Sequence, residues 1–251
     1  MDARIIKDIR YYEKKRIDYK GQFDGILGNV YCATDDTMYI GQRIARKLNE
    51  FGFESGEYDH LYIVFSADLD DNEICESDVH HDTRIRTFIY GLNPSAFNLL
   101  TNDEKIRKVR DITFKVLRWS CKADEFKTQT INNVATLIEI FDRSLIIKYK
   151  SKETRLFRID LSFQIRPLDE KSKLIVEYTN KQDDIMYSDV IDLHYYEDLY
   201  VLIDRITLKD GFIHFQPKKN YLAEMTSKQY IIPLIGIEIN KMKKITATNT
   251  A

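Results

Sequence analysis

Residues 159–166 read IDLSFQIR, and this stretch decides the fold class of the second half of the chain. Four apolar residues alternate with four polar ones, which is the period of a strand with one buried face and one wet face. The segments 145–149 and 174–178, on either side, are also rich in apolar and β-branched residues. We therefore expect an antiparallel β-meander in this half of the chain.

Two signals extend the β-rich region toward the end of the chain. The dipeptide Asp210-Gly211 separates two alternating runs, which predicts a two-residue hairpin turn. A last strand is expected over 230–239, where Pro233 places it at an edge of its sheet because proline cannot donate to a neighbouring strand.

The first half of the chain carries helical patterns instead. Apolar residues recur at spacings of three and four over 38–51, which predicts an amphipathic helix. Asp35, Asp36 or Thr37 is expected to cap its start, and Gly52 is expected to stop it.

Two more helices are predicted further on. Thr101 and Glu104 have the spacing of a capping box, and helical periodicity continues behind them to about Cys121. Another helix is expected over 124–141, with Phe126 among the residues of its apolar face.

Short apolar runs at 61–65 and 87–90 predict two strands among these helices. The resulting fold class is α+β, with helices mainly in the first half and the antiparallel β-meander in the second half. No spacer rich in proline, glycine or serine interrupts the chain, so we expect a single α+β domain over 1–251, with two lobes meeting near residue 142.

Composition narrows the function classes. The 38 Lys and Arg residues against 40 Asp and Glu residues give a net charge of -2, which is no global field for recruiting nucleic acid or an anionic membrane. Three cysteines at wide spacings indicate a reducing compartment. The sequence shows no signal peptide and no apolar run of membrane-spanning length, so a cytoplasmic protein is predicted, with neither nucleic acid nor membrane as a partner.

The segment 68–82, DLDDNEICESDVHHD, is the strongest candidate site. Its seven carboxylates, with no Lys or Arg among them, belong to Asp68, Asp70, Asp71, Glu73, Glu76, Asp78 and Asp82. Such a run is a solvated loop, a surface for a basic protein partner, or a metal site. The match to a calcium-binding EF-hand loop breaks at Glu73 and Val79, and the adjacent His80 and His81 point apart on any regular element. We therefore predict no metal and no cofactor.

Signals for catalysis are weak elsewhere. Cys75 lies five residues before His80, but no orienting residue is recognisable. The segment 192–198 gathers acid, imidazole and phenol groups, which a polar sheet face explains equally well. The glycines of 21–28 fit no nucleotide-binding pattern. We assign no catalytic residues and expect no enzyme; the alternative is a hydrolase or nuclease of unfamiliar type that uses the acidic and histidine residues of 68–82.

The sequence over roughly 40–120 resembles the immunity proteins encoded beside bacterial polymorphic toxins. The resemblance rests on the runs 40–48, 52–53, 58–63 and 97–99. It implies a cytoplasmic protein without catalytic activity that neutralises one cognate toxin by binding it. Because carboxylates can mimic phosphates, the seven carboxylates of 68–82 are the predicted binding residues, and a basic nuclease domain is a fitting partner.

Overall fold

A computed structural model describes residues 3–14, 25–78, 82–121, 124–230 and 236–245. The chain divides into two compact units, residues 1–145 and 146–251. The prediction of one domain over 1–251 is not tested by this division. Helices and sheets are both abundant, so the fold is mixed α+β.

The first unit is built on a five-stranded mixed sheet. Its described elements are β1 (Arg4–Ile5), β2 (Asp8–Glu13), β3 (Gly25–Ile26), α1 (Asp35–Glu50), β4 (Glu54–Gly56), β5 (His60–Ser66), β6 (Ile74–Glu76), β7 (Ile85–Gly91), α2 (Pro94–Asn98), α3 (Asn102–Ser120) and α4 (Glu125–Phe141). The sheet order is β3-β2-β5-β7-β6. Its three central strands are parallel, and β3 and β6 are antiparallel at the edges. β1 and β4 form a separate two-stranded ladder.

The parallel centre explains the sequence of β5. Leu61, Ile63, Val64 and Phe65 are all at most 1% exposed, as expected for a strand that is covered on both faces. α1 connects β2 to the parallel β5, because parallel neighbours need a crossover rather than a tight turn. Helices therefore share the first half with a sheet whose parallel pairing was not anticipated from the strand runs.

The start of α1 corrects one prediction. The N-cap is Thr34, not Asp35, Asp36 or Thr37, and its backbone amide donates to Thr37 Oγ1 at 3.3 Å. Asp35 and Asp36 lie instead in the first turn, where carboxylates interact favourably with the helix dipole. The stop at Gly52 is as predicted, with a left-handed φ of 68°.

The two later helices begin where the sequence predicts. The amide of Thr101 donates to Glu104 Oε2 at 2.8 Å at the start of α3, and Asp124 Oδ1 accepts from the amide of Lys127 at 2.9 Å at the start of α4. Phe126, however, is 81% exposed, so its assignment to the apolar face is wrong. At 3.6 residues per turn it lies about 80° around the helix from the buried Val134, on the flank of the packed face.

A buried ion cluster joins the two ends of the helical layer. Arg43 on α1 is fully buried, and its Nη2 lies 3.0 Å from Asp36 Oδ1 and 3.2 Å from Asp142 Oδ1. Arg143 adds a contact of 2.8 Å to the other oxygen of Asp36. The residues that follow α4 are thereby tied to the first turn of α1.

The second unit consists mainly of antiparallel sheet. Its described elements are β8 (Ile147–Glu153), β9 (Phe157–Gln164), β10 (Ser172–Asn180), β11 (Ile185–Leu193), α5 (Leu199–Leu202), β12 (Arg205–Lys209), β13 (Phe212–Gln216), α6 (Tyr221–Ser227), β14 (Gly236–Glu238) and β15 (Lys243–Ile245). One sheet has the order β15-β11-β10-β9-β8, and β12, β13 and β14 form a second sheet. Strands β8 to β11 are the predicted meander, and the apolar residues at 159, 161, 163 and 165 are at most 1% exposed.

The hairpin prediction is also confirmed. β12 pairs with β13 across Asp210-Gly211, and both residues have positive φ, 51° and 78°, as a type I′ turn requires. Of the predicted strand over 230–239, β14 is the part that the structure contains as strand. Pro233 lies outside the described residues.

Candidate functional site

The acidic turn, which we define as residues 68–73, lies at the carboxyl end of the parallel strands. β5 ends at Ser66, whose Oγ accepts from the amide of Asp68 at 3.1 Å. β7 ends at Gly91, whose carbonyl accepts from the amide of Asn72 at 2.9 Å. Ligands of sheets with parallel strands commonly bind at this edge. The fold therefore presents the acidic turn where a site is expected.

The backbone of the acidic turn has a defined shape. The amide of Glu73 donates to the carbonyl of Asp70 at 2.9 Å, and Asn72 has a left-handed φ of 71°. The amide of Gly91 donates to the carbonyl of Glu73 at 2.9 Å, so that Asn72 and Glu73 together face Gly91 in a β-bulge. Asparagine adopts the left-handed conformation more readily than most residues, which suits it to this position.

Contacts from outside hold the acidic turn in place. A Cβ atom on Gly91 would overlap the carbonyl oxygen of Asp70, so the close approach requires glycine there. Three hydrogen bonds add to this packing: Tyr90 Oη donates to Asn72 Oδ1 at 2.7 Å, Lys115 Nζ to the carbonyl of Asn72 at 3.3 Å, and the amide of Asn93 to Asp71 Oδ1 at 2.7 Å. The turn is thus fixed to β7 and α3.

The carboxylates of the segment differ in how far their charge is compensated. Glu76 is paired with Arg86 through two hydrogen bonds of 2.5 and 2.7 Å. Asp68 lies 3.9 Å from Lys14. Glu73 and Asp82 accept from backbone amides, which leaves their negative charge in place. All but Glu76 are exposed.

The negative charge of the acidic turn affects neighbouring phenols. Burial, and then the charge of Asp71, raises the pKa of Tyr90 above its ordinary value. The pKa of Tyr31 is raised by burial and by Glu13, Asp68 and Asp71. The surface potential at this edge of the sheet is therefore negative.

The seven predicted residues do not form one patch. Glu73 faces Gly91 at one end of β7, whereas Ser77 pairs with Thr87 and Asp78 follows it toward the other end. At about 3.3 Å per strand residue, Glu73 and Asp78 are roughly 16 Å apart along β6. Asp82 lies still further, at the turn before β7 begins. The structure therefore brings Asp68, Asp70, Asp71 and Glu73 together, with Asp78 and Asp82 separate from them.

The segment is also more than a loop between two strands, as the sequence had predicted. It contains β6, which pairs antiparallel with β7 and forms an edge of the sheet. Charged residues at an edge strand hinder accidental pairing with other chains, and this is a structural reason for the acidic run.

Sequence reasoning missed a buried carboxylate at the same edge of the sheet. Glu13 ends β2 and is fully buried. Its two oxygens accept hydrogen bonds of 3.0 to 3.1 Å from the amides of Gly28, Asn29, Val30 and Tyr31. Its role is to anchor this loop, and only the unusual Glu at the end of an otherwise apolar and aromatic strand could have indicated it.

Nucleophilic or metal chemistry at the segment finds little support. Burial and the carboxylates of Glu73 and Asp78 raise the pKa of Cys75, which keeps its thiol protonated and weakly nucleophilic. Within the described ranges, no three His, Cys, Asp or Glu side chains converge as metal ligands. Val79, His80 and His81 lie outside the described residues, as do residues 21–24 of the glycine-containing segment.

The second unit contains a cavity of about 470 Å³. It is lined by Leu168, Lys171, His194, Tyr195 and Gln229, two of which belong to the segment 192–198. His194 Nε2 donates to the carbonyl of Gln229 at 3.1 Å, and the amide of His194 donates to Tyr230 Oη at 3.1 Å. Its imidazole Nε2 is thus used in a structural hydrogen bond.

The phenol beside this cavity is equally committed. Tyr230 Oη donates to Asp198 Oδ2 at 2.5 Å. Burial, together with this hydrogen bond, raises the pKa of Tyr230 above its ordinary value. The acid, imidazole and phenol of this region therefore connect parts of the second unit, and the arrangement favours a structural role over acid–base catalysis.

No protein-family model matches this chain, and no curated protein or solved structure is similar to it at a significant level. The resemblance to immunity proteins therefore rests on the sequence pattern alone and stays a prediction. No helix in the described part of the chain is both long and apolar enough to cross a membrane.

Proposed function

We propose that this protein is a cytoplasmic immunity protein that binds and inhibits a cognate bacterial toxin, and that the acidic turn is the centre of the binding surface. The partner would be a protein domain with a cation-lined surface, such as a nuclease whose substrate cleft holds Lys and Arg. Asp and Glu side chains placed against such a cleft take the place of the phosphates of nucleic acid.

One observation carries the proposal: the acidic turn is exposed, yet it is held rigidly. Its backbone bonds to Gly91, the side chain of Tyr90 and the cation of Lys115 fix its shape before any partner arrives. A surface that is already ordered loses little conformational entropy on binding, which favours tight association. A loop kept only for solubility needs no such order.

The competing explanations make different demands. Protection of the edge strand requires charge near β6, but it does not require the fixed geometry of residues 68–73. A hydrolase or nuclease using 68–82 would need an activated nucleophile or converging ligands, and the raised pKa of Cys75 opposes the first. The enzyme reading stays a hypothesis that concerns mainly His80 and His81.

The test is neutralisation of a toxin. The reading frame next to this gene is cloned, and its C-terminal domain is expressed with and without this protein. Rescue of growth, with a stable complex in gel filtration, is the expected result. Absence of both rescue and complex with a demonstrably toxic neighbour would refute the proposal.

A further inference from the structure

The outer edge of β6 is open in the described sheet. β6 is the terminal strand of the order β3-β2-β5-β7-β6, so β7 is its neighbour on one side and no described strand lies on the other. Edge strands of this kind present backbone donors and acceptors that can pair with an added strand.

Hydrogen bonding along β6 shows which residues face outward. The carbonyl of Glu73 accepts from Gly91, and the amide of Ser77 donates to Thr87, both at 2.9 Å. Cys75 is aligned with Ile89 between these two contacts. In an antiparallel ladder the backbone groups of successive residues point alternately to opposite sides. The backbone groups of Ile74 and Glu76 therefore point away from β7.

The chemistry around this edge selects its occupant. Glu73 at one end of the strand and Asp78 at the other are both exposed carboxylates. The acidic turn continues the negative charge beyond Glu73. An added strand with cationic side chains at both ends would match this pattern, whereas an acidic strand would be repelled.

We infer that β6 is a docking edge for an extended, basic segment of the partner protein, which adds to the sheet as an antiparallel or parallel strand beside Ile74 and Glu76. This inference rests on the proposed function and specifies how that partner is held. Main-chain hydrogen bonds supply affinity, and the flanking carboxylates select for lysine and arginine.

The probe is a short peptide of alternating lysine and valine, titrated by fluorescence anisotropy and by amide NMR shifts. One control peptide has the same sequence with every backbone nitrogen methylated, and a second has glutamate in place of lysine. We expect the first peptide alone to bind, with shift changes and slowed hydrogen exchange at Ile74 and Glu76.

A variant tests the same edge from the protein side. Ile74→Pro removes an outward-facing amide and leaves the hydrogen bonds of Cys75 to β7 in place, a position where proline is tolerated. Affinity for the peptide should fall about tenfold, the value of roughly one lost backbone hydrogen bond. The thermal midpoint identifies a variant that fails to fold, and in that case the methylated peptide decides.

Two outcomes would overturn the inference. If wild-type protein does not bind the alternating peptide, or binds the methylated peptide equally well, β6 is not a docking edge. Neither outcome bears on toxin neutralisation, which the growth assay measures separately. Neutralisation without strand addition would leave the proposed function standing and place the contact on side chains alone.

Discussion

Gly91 and Asp70 approach so closely that a Cβ atom on Gly91 would overlap the carbonyl oxygen of Asp70. Gly91→Ala should therefore displace the acidic turn and destabilise the protein by about 1 to 3 kcal/mol, the usual cost of overpacking. Urea denaturation measures the change. Gly52→Ala is the control, because Gly52 has a left-handed φ but no atom near its missing Cβ. An equal effect of the two substitutions would show that the close approach is unimportant.

Neutralising the acidic turn should weaken the complex without unfolding the protein. In Asp70→Asn/Asp71→Asn/Glu73→Gln, the amide oxygens can still accept the backbone hydrogen bonds, while three charges are lost. The association rate should fall, and the difference from wild type should shrink at high salt, where the Debye length drops below about 8 Å. Stopped-flow binding to the neighbouring toxin domain at two salt concentrations measures both.

The matched control for this variant removes three charges elsewhere. Glu139, Asp183 and Asp184 are exposed and distant in sequence from the acidic turn. Glu139→Gln/Asp183→Asn/Asp184→Asn should bind nearly as fast as wild type. Equal rates for all three proteins would remove the acidic turn from the interface.

The hairpin turn of the second unit should be sensitive to its glycine. Gly211→Val forces a β-branched residue into a left-handed φ of 78° and should cost about 1 kcal/mol or more. Gly211→Asn should recover most of that loss, since asparagine tolerates this conformation. Thermal unfolding of the three proteins makes the comparison, and an unchanged midpoint for the valine variant would contradict it.

Asp59 should contribute to acid sensitivity. It is 2% exposed, and burial opposes its ionisation, but hydrogen bonds from Arg84, Lys7 and His60 outweigh burial and hold its pKa below the ordinary range. Because its pKa is lower in the folded chain than in the unfolded chain, its stabilisation is complete above the unfolded value of about 3.9 and is lost as pH falls below it.

Asp59→Asn should therefore destabilise the protein by about 1 kcal/mol or more at pH 7, and by less as the pH is lowered below about 4. Urea midpoints at several pH values test this. Asp111→Asn is the control, because Asp111 is 65% exposed in its pair with Arg110. A difference between wild type and Asp59→Asn that is constant with pH would show that the ion cluster is not the cause.

Metal removal should leave stability unchanged. Asp71 and Glu73 already accept backbone amides, and the EF-hand pattern breaks at Glu73. Thermal melts with and without chelator should coincide. A rise of several degrees with micromolar Ca²⁺, Mn²⁺ or Zn²⁺ would indicate a site and revive the hydrolase alternative.

Local patterns in the sequence predicted local structure well. The alternation over 159–166, the capping box of Thr101 and Glu104, and the turn at Asp210-Gly211 are each encoded within a few residues. The parallel pairing of β2, β5 and β7 is not, because strand direction depends on crossovers that span many residues.

The candidate site was predictable in composition but not in shape. The run of carboxylates is evident in the sequence, whereas the contact of Asp70 with Gly91 joins residues that are far apart in the chain. Asn72 was the one readable signal, since an asparagine within an acidic run is a common choice for a left-handed bulge position. Its partners Tyr90 and Lys115 come from other elements and could not be inferred.

The pairing order of the strands has a consequence for how the chain matures. β2 must wait for β5, since Asp8 aligns with His60, and β5 must wait in turn for β7. β8 to β11 pair with their neighbours along the chain. Contacts between distant residues form slowly, and contacts between neighbours form quickly. During synthesis the half that leaves the ribosome first is therefore the half that folds last, and its apolar parallel strands are the part of the newborn chain that most needs a chaperone.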